Sequence, residues 1–126
     1  MTLDHPYLSI VIPALNEEHR LPPTLASIDV YLSQQDYTYE VIIVDNGSTD
    51  QTQAVVESFA QEHPYIQFIQ LAERGKGRAV KAGMLAATGD YRFICDADLS
   101  MPIEELSKFL PPNGVGADVL IGSREG

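Results

Sequence analysis

With one cysteine, Cys95, the 126-residue chain has no means of forming an internal disulfide and lacks the grouped thiols of a structural zinc site. A reducing compartment is its simplest setting, and a lone cysteine in an apolar stretch is a packing residue. The three histidines, His5, His19 and His63, are scattered without metal-ligand spacing. Basic residues are scarce: 8 Lys and Arg against 18 Asp and Glu give a formal net charge of -10. That balance argues against nucleic acid, or an anionic membrane surface, as the main partner, since both select clustered cations. No stretch approaches the roughly 20 apolar residues of a membrane span, and the opening MTLDHPYLS has neither the basic nor the apolar region of a signal peptide. The expectation is one soluble, cytoplasmic domain, membrane-associated only if a longer form supplies the contact.

What the chain does have is alternation. YLSIVIP (7–13) and YEVIIVD (39–45) are short runs rich in β-branched residues that end in polar loops, the pattern of buried parallel strands. YIQFIQL (65–71), YRFICD (91–96) and ADVLIGS (117–123) repeat it more weakly. Helical spacing fills the gaps. Pro22 or Pro23 opens a segment carrying Leu25, Ile28 and Leu32, and Ser48 or Asp50 caps one carrying Val55, Val56, Phe59 and Ala60. A third runs from Lys76 to Thr88 with Gly89 as its stop, and a fourth starts near Pro102 with Ser100 as its cap. Strand and helix in alternation predict a parallel sheet covered on both faces, with ligands gathering beyond the carboxyl ends of the strands. The chain ends at Gly126, directly after the fifth strand, a layout expected of a domain truncated at its C-terminal end.

The loops PALNEE, DNGSTD and DADLS follow the first, second and fourth strands. If 93–95 is strand, Asp96 and Asp98 emerge on one side of it and Ala97 on the other. Two carboxylates that close repel unless a cation lies between them, and their hard oxygens suit Mg²⁺ or Mn²⁺. Taken alone, D-x-D is equally a turn or a helix cap. Asp45, at the mouth of a buried strand, is placed to accept hydrogen bonds from a base or ribose, whereas Gly47 to Thr49 are accounted for by a tight turn. Arg74, Lys76, Arg78 and Lys81 gather four of the eight basic residues around a predicted helix start, where backbone N–H groups favour phosphate. The same segment is also what a solvated helix face looks like. Neither the P-loop nor the dinucleotide fingerprint is present.

Together SIVIPALNEE, VIIVDNGSTDQT, ERGKGRAVKAGMLAATGDYRFICDADLSMP and DVLIGSRE resemble the family 2 glycosyltransferases, inverting enzymes of the GT-A fold, and within them the enzymes that glycosylate polyprenyl phosphates, especially the dolichyl-phosphate β-glucosyltransferases. The resemblance implies a three-layer α/β/α, Rossmann-like fold with a mainly parallel sheet, residues 1–126 being its nucleotide-binding half. It implies that Pro13, Ala14, Asn16 and Glu17 line the nucleotide pocket, with Glu17 near the ribose, and that Asp45 contacts the base. Lys76, Asp96, Ala97 and Arg124 would lie along the donor, and Asp96 and Asp98 would hold Mg²⁺ or Mn²⁺, Asp98 as the likelier direct ligand. The implied partners are a nucleotide diphosphate sugar, UDP-glucose first, and a polyprenyl phosphate acceptor.

Two positions depart from the family pattern. Asn46 stands where many relatives have a second Asp, and Ser100 where mannosyl-transferring relatives often have Gln. No residue matches the general base, which is expected beyond residue 126, so the chain alone is expected to bind donor and transfer sugar weakly or not at all. The competing readings are a non-catalytic nucleotide-binding module and a nucleotidyltransferase. The latter calls for a glycine-rich loop after the first strand, where this chain has IPALNEE. An unpaired fifth strand also raises the expectation of self-association into a homo-oligomer.

Overall fold

The computed structural model describes residues 6–72, 75–95, 97, 103 and 119–121, with backbone only at Lys76 and at 119–121. Strands β1 (Leu8–Ala14), β2 (Tyr39–Asp45), β3 (Ile66–Gln70), β4 (Tyr91–Ile94) and β5 (Val119–Ile121) form one sheet in the order β3-β2-β1-β4-β5. Every pairing is parallel. Helices α1 (Leu21–Ser33), α2 (Thr52–Glu62) and α3 (Lys76–Ala86) make the first crossovers. The predicted fourth helix near Pro102, with its Ser100 cap, falls outside the described residues.

Side-chain alternation along the strands divides the core in two. Leu8, Ile10, Ile12, Val41 and Ile43 point to one face, where they pack with Leu21, Leu25, Ile28 and Leu32 of α1 and Val56 of α2. Val11, Ile42 and Val44 point to the other, against Ala79 of α3 and neighbouring apolar residues. Strands buried on both faces explain the unbroken apolar runs of β1 and β2. The expected three-layer α/β/α architecture with a parallel sheet is therefore present. Gly83 lets α3 lie close to the sheet, since a Cβ there would fall 2.3 Å from Val11 Cγ1.

Local details correct three expectations. Helix α3 stops at Ala86, with Ala87 already extended, so Gly89 is not its stop. Gly89 is instead a close-approach residue: a Cβ on it would sit 2.5 Å from Ser9 Oγ and 2.8 Å from the Ser9 backbone nitrogen. Ser48 caps no helix, and Asp50 lies one residue ahead of the Gln51 cap position of α2, though its Oδ1 accepts from the Thr52 N–H at 2.9 Å and so satisfies a first-turn donor. The prolines behave as expected, occupying the first turn of α1, where a missing N–H costs nothing.

The two directions in which the chain winds set the position of the crevice. From β1 it moves outward through β2 to β3, then returns to the far side of β1 for β4 and β5. The topological switch point therefore lies between β1 and β4, and in open parallel sheets ligands bind beyond the carboxyl ends of the strands at that point. At the opposite end, Glu40 is a buried carboxylate that accepts from Ser9 Oγ (2.6 Å), Gln67 Nε2 (2.8 Å) and the Thr88 N–H (2.8 Å), tying three strands to the turn before β4.

Candidate functional site

The loops leaving β1 and β4 flank the switch point, and the loop leaving β2 adjoins them. Register brings Ala14 directly beside Asp45, and the Asn46 N–H donates to the Ala14 carbonyl at 2.8 Å. Pro13 and Ala14 are buried at the end of β1. Val11 pairs with Ile94, and the Cys95 N–H continues the ladder to the Val11 carbonyl at 2.9 Å, so Cys95 reaches the same edge. Ala97 is 3% exposed, and its carbonyl accepts from the Thr24 hydroxyl of α1 at 2.6 Å.

The β1 and β2 loops are laced together. Asn16, at a left-handed φ of 53°, receives the Thr49 N–H on its Oδ1 at 2.8 Å, while its own N–H donates to Ser48 Oγ at 2.8 Å. Asparagine tolerates that backbone conformation better than most residues. The Glu17 N–H donates to Thr52 Oγ1 (2.9 Å), and the Glu18 N–H to Asp50 Oδ2 (3.3 Å). Partial burial pushes the Asp50 carboxyl upward, but hydrogen bonds from the Thr52 hydroxyl, the Thr52 N–H and the Glu18 N–H outweigh it and hold the group below its ordinary value. Glu17 forms an exposed ion pair with Arg20 at 3.4 Å.

Asp45 is fully buried. Its Oδ1 accepts from the Ser48 N–H at 2.9 Å, closing the tight turn in which Gly47 adopts φ 91°, and its Oδ2 has the Gln70 amide at 3.4 Å. Gln70, at the end of β3, was not among the expected site residues; its signal is register, since it pairs with Asp45. Lys76 opens α3 as its first residue. Asp96, Asp98 and Arg124 lie outside the described residues, and among the described residues no three His, Cys, Asp or Glu side chains cluster as a metal site. An apolar groove of about 410 Å³ lies elsewhere, lined by Pro22, Ala54, Val55, Ser58, Phe59 and Glu62. All six belong to α1 and α2, and the groove carries no cation, so a polar phosphorylated ligand fits the strand ends better.

The glycosyl transferase family 2 model matches residues 9–126. The chain belongs to this family. A dolichyl-phosphate beta-glucosyltransferase of Dictyostelium discoideum is 35% identical over 136 residues, covering 97% of this chain and 41% of that protein. Among solved structures, the mannosyltransferase PcManGT of Pyrobaculum calidifontis in complex with GDP-Man and Mn²⁺ superposes with a TM-score of 0.69 at 29% identity, over 86% of this chain and 33% of that one. The glucosyl-3-phosphoglycerate synthase of Mycobacterium tuberculosis, in complex with Mn²⁺ and UDP-glucose, superposes with a TM-score of 0.60 at 27% identity, over 74% of this chain and 33% of that one. This family 2 chain thus spans less than half the length of the relatives named here. No helix among its described residues is long and apolar enough to cross a membrane.

Proposed function

We propose that this family 2 chain forms the donor-binding side of an inverting glycosyltransferase that takes a sugar from a nucleotide diphosphate sugar, UDP-glucose first, and passes it to a polyprenyl phosphate. The observation that carries the reading is the switch point between β1 and β4 in a parallel sheet, in a chain 35% identical to a dolichyl-phosphate beta-glucosyltransferase over 97% of this chain. In this proposal Pro13, Ala14, Asn16 and Glu17 line the nucleotide pocket, Asp45 serves the base, and Lys76, Ala97 and Arg124 border the donor. Asp96 and Asp98 are a hard oxygen donor pair whose chemistry fits Mg²⁺ or Mn²⁺, and the anchored Ala97 carbonyl gives the peptide between them a fixed support. Bound there, a divalent cation supplies charge neutralisation for the departing diphosphate.

In the reaction an acceptor oxygen forms a bond to the anomeric carbon while the bond from that carbon to the diphosphate breaks, its electron pair leaving with the nucleoside diphosphate. A phosphate monoester with a second pKa near ~6 is already ionised at neutral pH. The demand on a general base is therefore light for such an acceptor. On this reading residues 1–126 hold donor and transfer sugar weakly. Self-association through the edge strand β5, and membrane contact from a longer form, belong to the same proposal.

Titrating the folded protein with UDP-glucose, GDP-mannose and UDP, each with Mn²⁺ and with chelator, tests the reading. Metal-dependent binding with UDP ligands ahead of GDP-mannose is the expected result. Preference for GDP-mannose would replace the donor, and a folded protein indifferent to all three would refute the nucleotide-sugar assignment.

A further inference from the structure

Asn46 is 7% exposed and stands at the junction of three elements. Its N–H binds the Ala14 carbonyl at the end of β1, and its Oδ1 accepts from the Gly75 N–H at 2.8 Å. Gly75 precedes α3 with φ +149°, a backbone conformation that side chains rarely adopt, and an added Cβ would meet Arg78 Cδ at 3.4 Å. A turn held so far from the ordinary regions persists where its surroundings over-determine it, and the Asn46 oxygen is one such restraint. The turn leads into the segment bearing Lys76, Arg78 and Lys81, a cationic stretch on a chain of net charge -10.

Resting on the nucleotide-sugar reading above, we propose that Asn46 is a positioning residue for the donor diphosphate, fixing the Gly75 peptide so that the start of α3 keeps its cationic segment at the crevice. Asn46 acts through Gly75; it does not itself touch the base. Phosphates, rather than the nucleoside, are what the arrangement serves.

The test compares wild type, N46A and N46D in the presence of Mn²⁺, measuring hydrogen exchange of the Gly75 amide and affinities for UDP and for uridine. In N46A the Gly75 amide exchanges faster and UDP binding weakens about tenfold, the consequence of losing one partly buried hydrogen bond, while uridine binding changes less than about twofold. N46D retains an acceptor oxygen and restores both Gly75 protection and UDP affinity. If N46A does not fold, N46S replaces it, its shorter side chain being unable to reach Gly75. Unchanged UDP affinity with an unprotected Gly75, equal losses for UDP and uridine, or failure of N46D to rescue would each overturn the proposal. Wild-type protein that binds neither ligand would instead overturn the functional reading on which it rests.

Discussion

The Thr24 hydroxyl donates to the Ala97 carbonyl at 2.6 Å, and both residues are buried although they lie 73 positions apart. Through this contact helix α1 holds Ala97, the residue that separates Asp96 and Asp98 in the sequence. T24V keeps the shape and removes the donor, leaving a buried carbonyl unsatisfied at a cost of about 1–3 kcal/mol. The expected outcome is a lower melting temperature and weaker Mn²⁺-dependent UDP binding, with T24S recovering most of both. Equal UDP affinity in T24V and wild type would show that the contact serves stability alone.

Gly83 invites a substitution that helix propensity favours, since Ala exceeds Gly by about 1 kcal/mol in a helix interior. The sheet forbids it: the new Cβ would lie 2.3 Å from Val11 Cγ1 and 3.1 Å from Val44 Cγ2. Overpacking a closed core costs about 1–3 kcal/mol, so G83A is expected to lower the urea midpoint. An increase would mean that α3 can lift from the sheet without penalty.

Glu40 gathers donors from Ser9, Gln67 and Thr88 at the end of the sheet remote from the crevice. E40A leaves the buried Ser9 hydroxyl without its carboxylate acceptor and is expected to destabilise by about 1–3 kcal/mol. E40Q, which keeps one acceptor oxygen, is expected to lose less. Chemical denaturation of the three proteins checks the order.

Asp50 links stability to acid. Its folded value lies below the ordinary one because the bonds from Thr52 and Glu18 outweigh burial, so the unfolded chain takes up the proton first as pH falls. The stabilisation is fully present above the unfolded value of about 3.9 and is lost as pH drops through the lower folded value. D50N removes the titration, so the stability gap between wild type and D50N is expected to be constant above about pH 5 and to narrow progressively below about pH 4. A gap independent of pH would show that the hydrogen-bonded carboxylate is not its source.

Much of this frame was legible in the chain. The β-branched runs located the strands to within one residue for the first three, because burial on both faces demands continuous apolar side chains. The fourth came out shorter than expected, Tyr91–Ile94, and of the fifth the described residues are Val119–Ile121. The strand–helix alternation likewise pointed to the parallel sheet that is present. Less visible were contacts made across the fold. Thr24 looks like a small core residue on an apolar helix face, and only the approach of β4 gives its hydroxyl a purpose. Asn46 looked like a departure from a paired-aspartate pattern, and only the bend at Gly75 shows what its oxygen holds. Gly89 looked like a helix stop because sequence does not reveal that Ser9 would crowd it.

Isothermal titration of UDP into the folded wild-type protein and D98N, with Mn²⁺ and then with chelator, tests the central claim most directly. The account predicts saturable binding to wild type with Mn²⁺, weakened at least about tenfold by chelator and by D98N alike. Binding of equal strength in all conditions, or none in any, would contradict it.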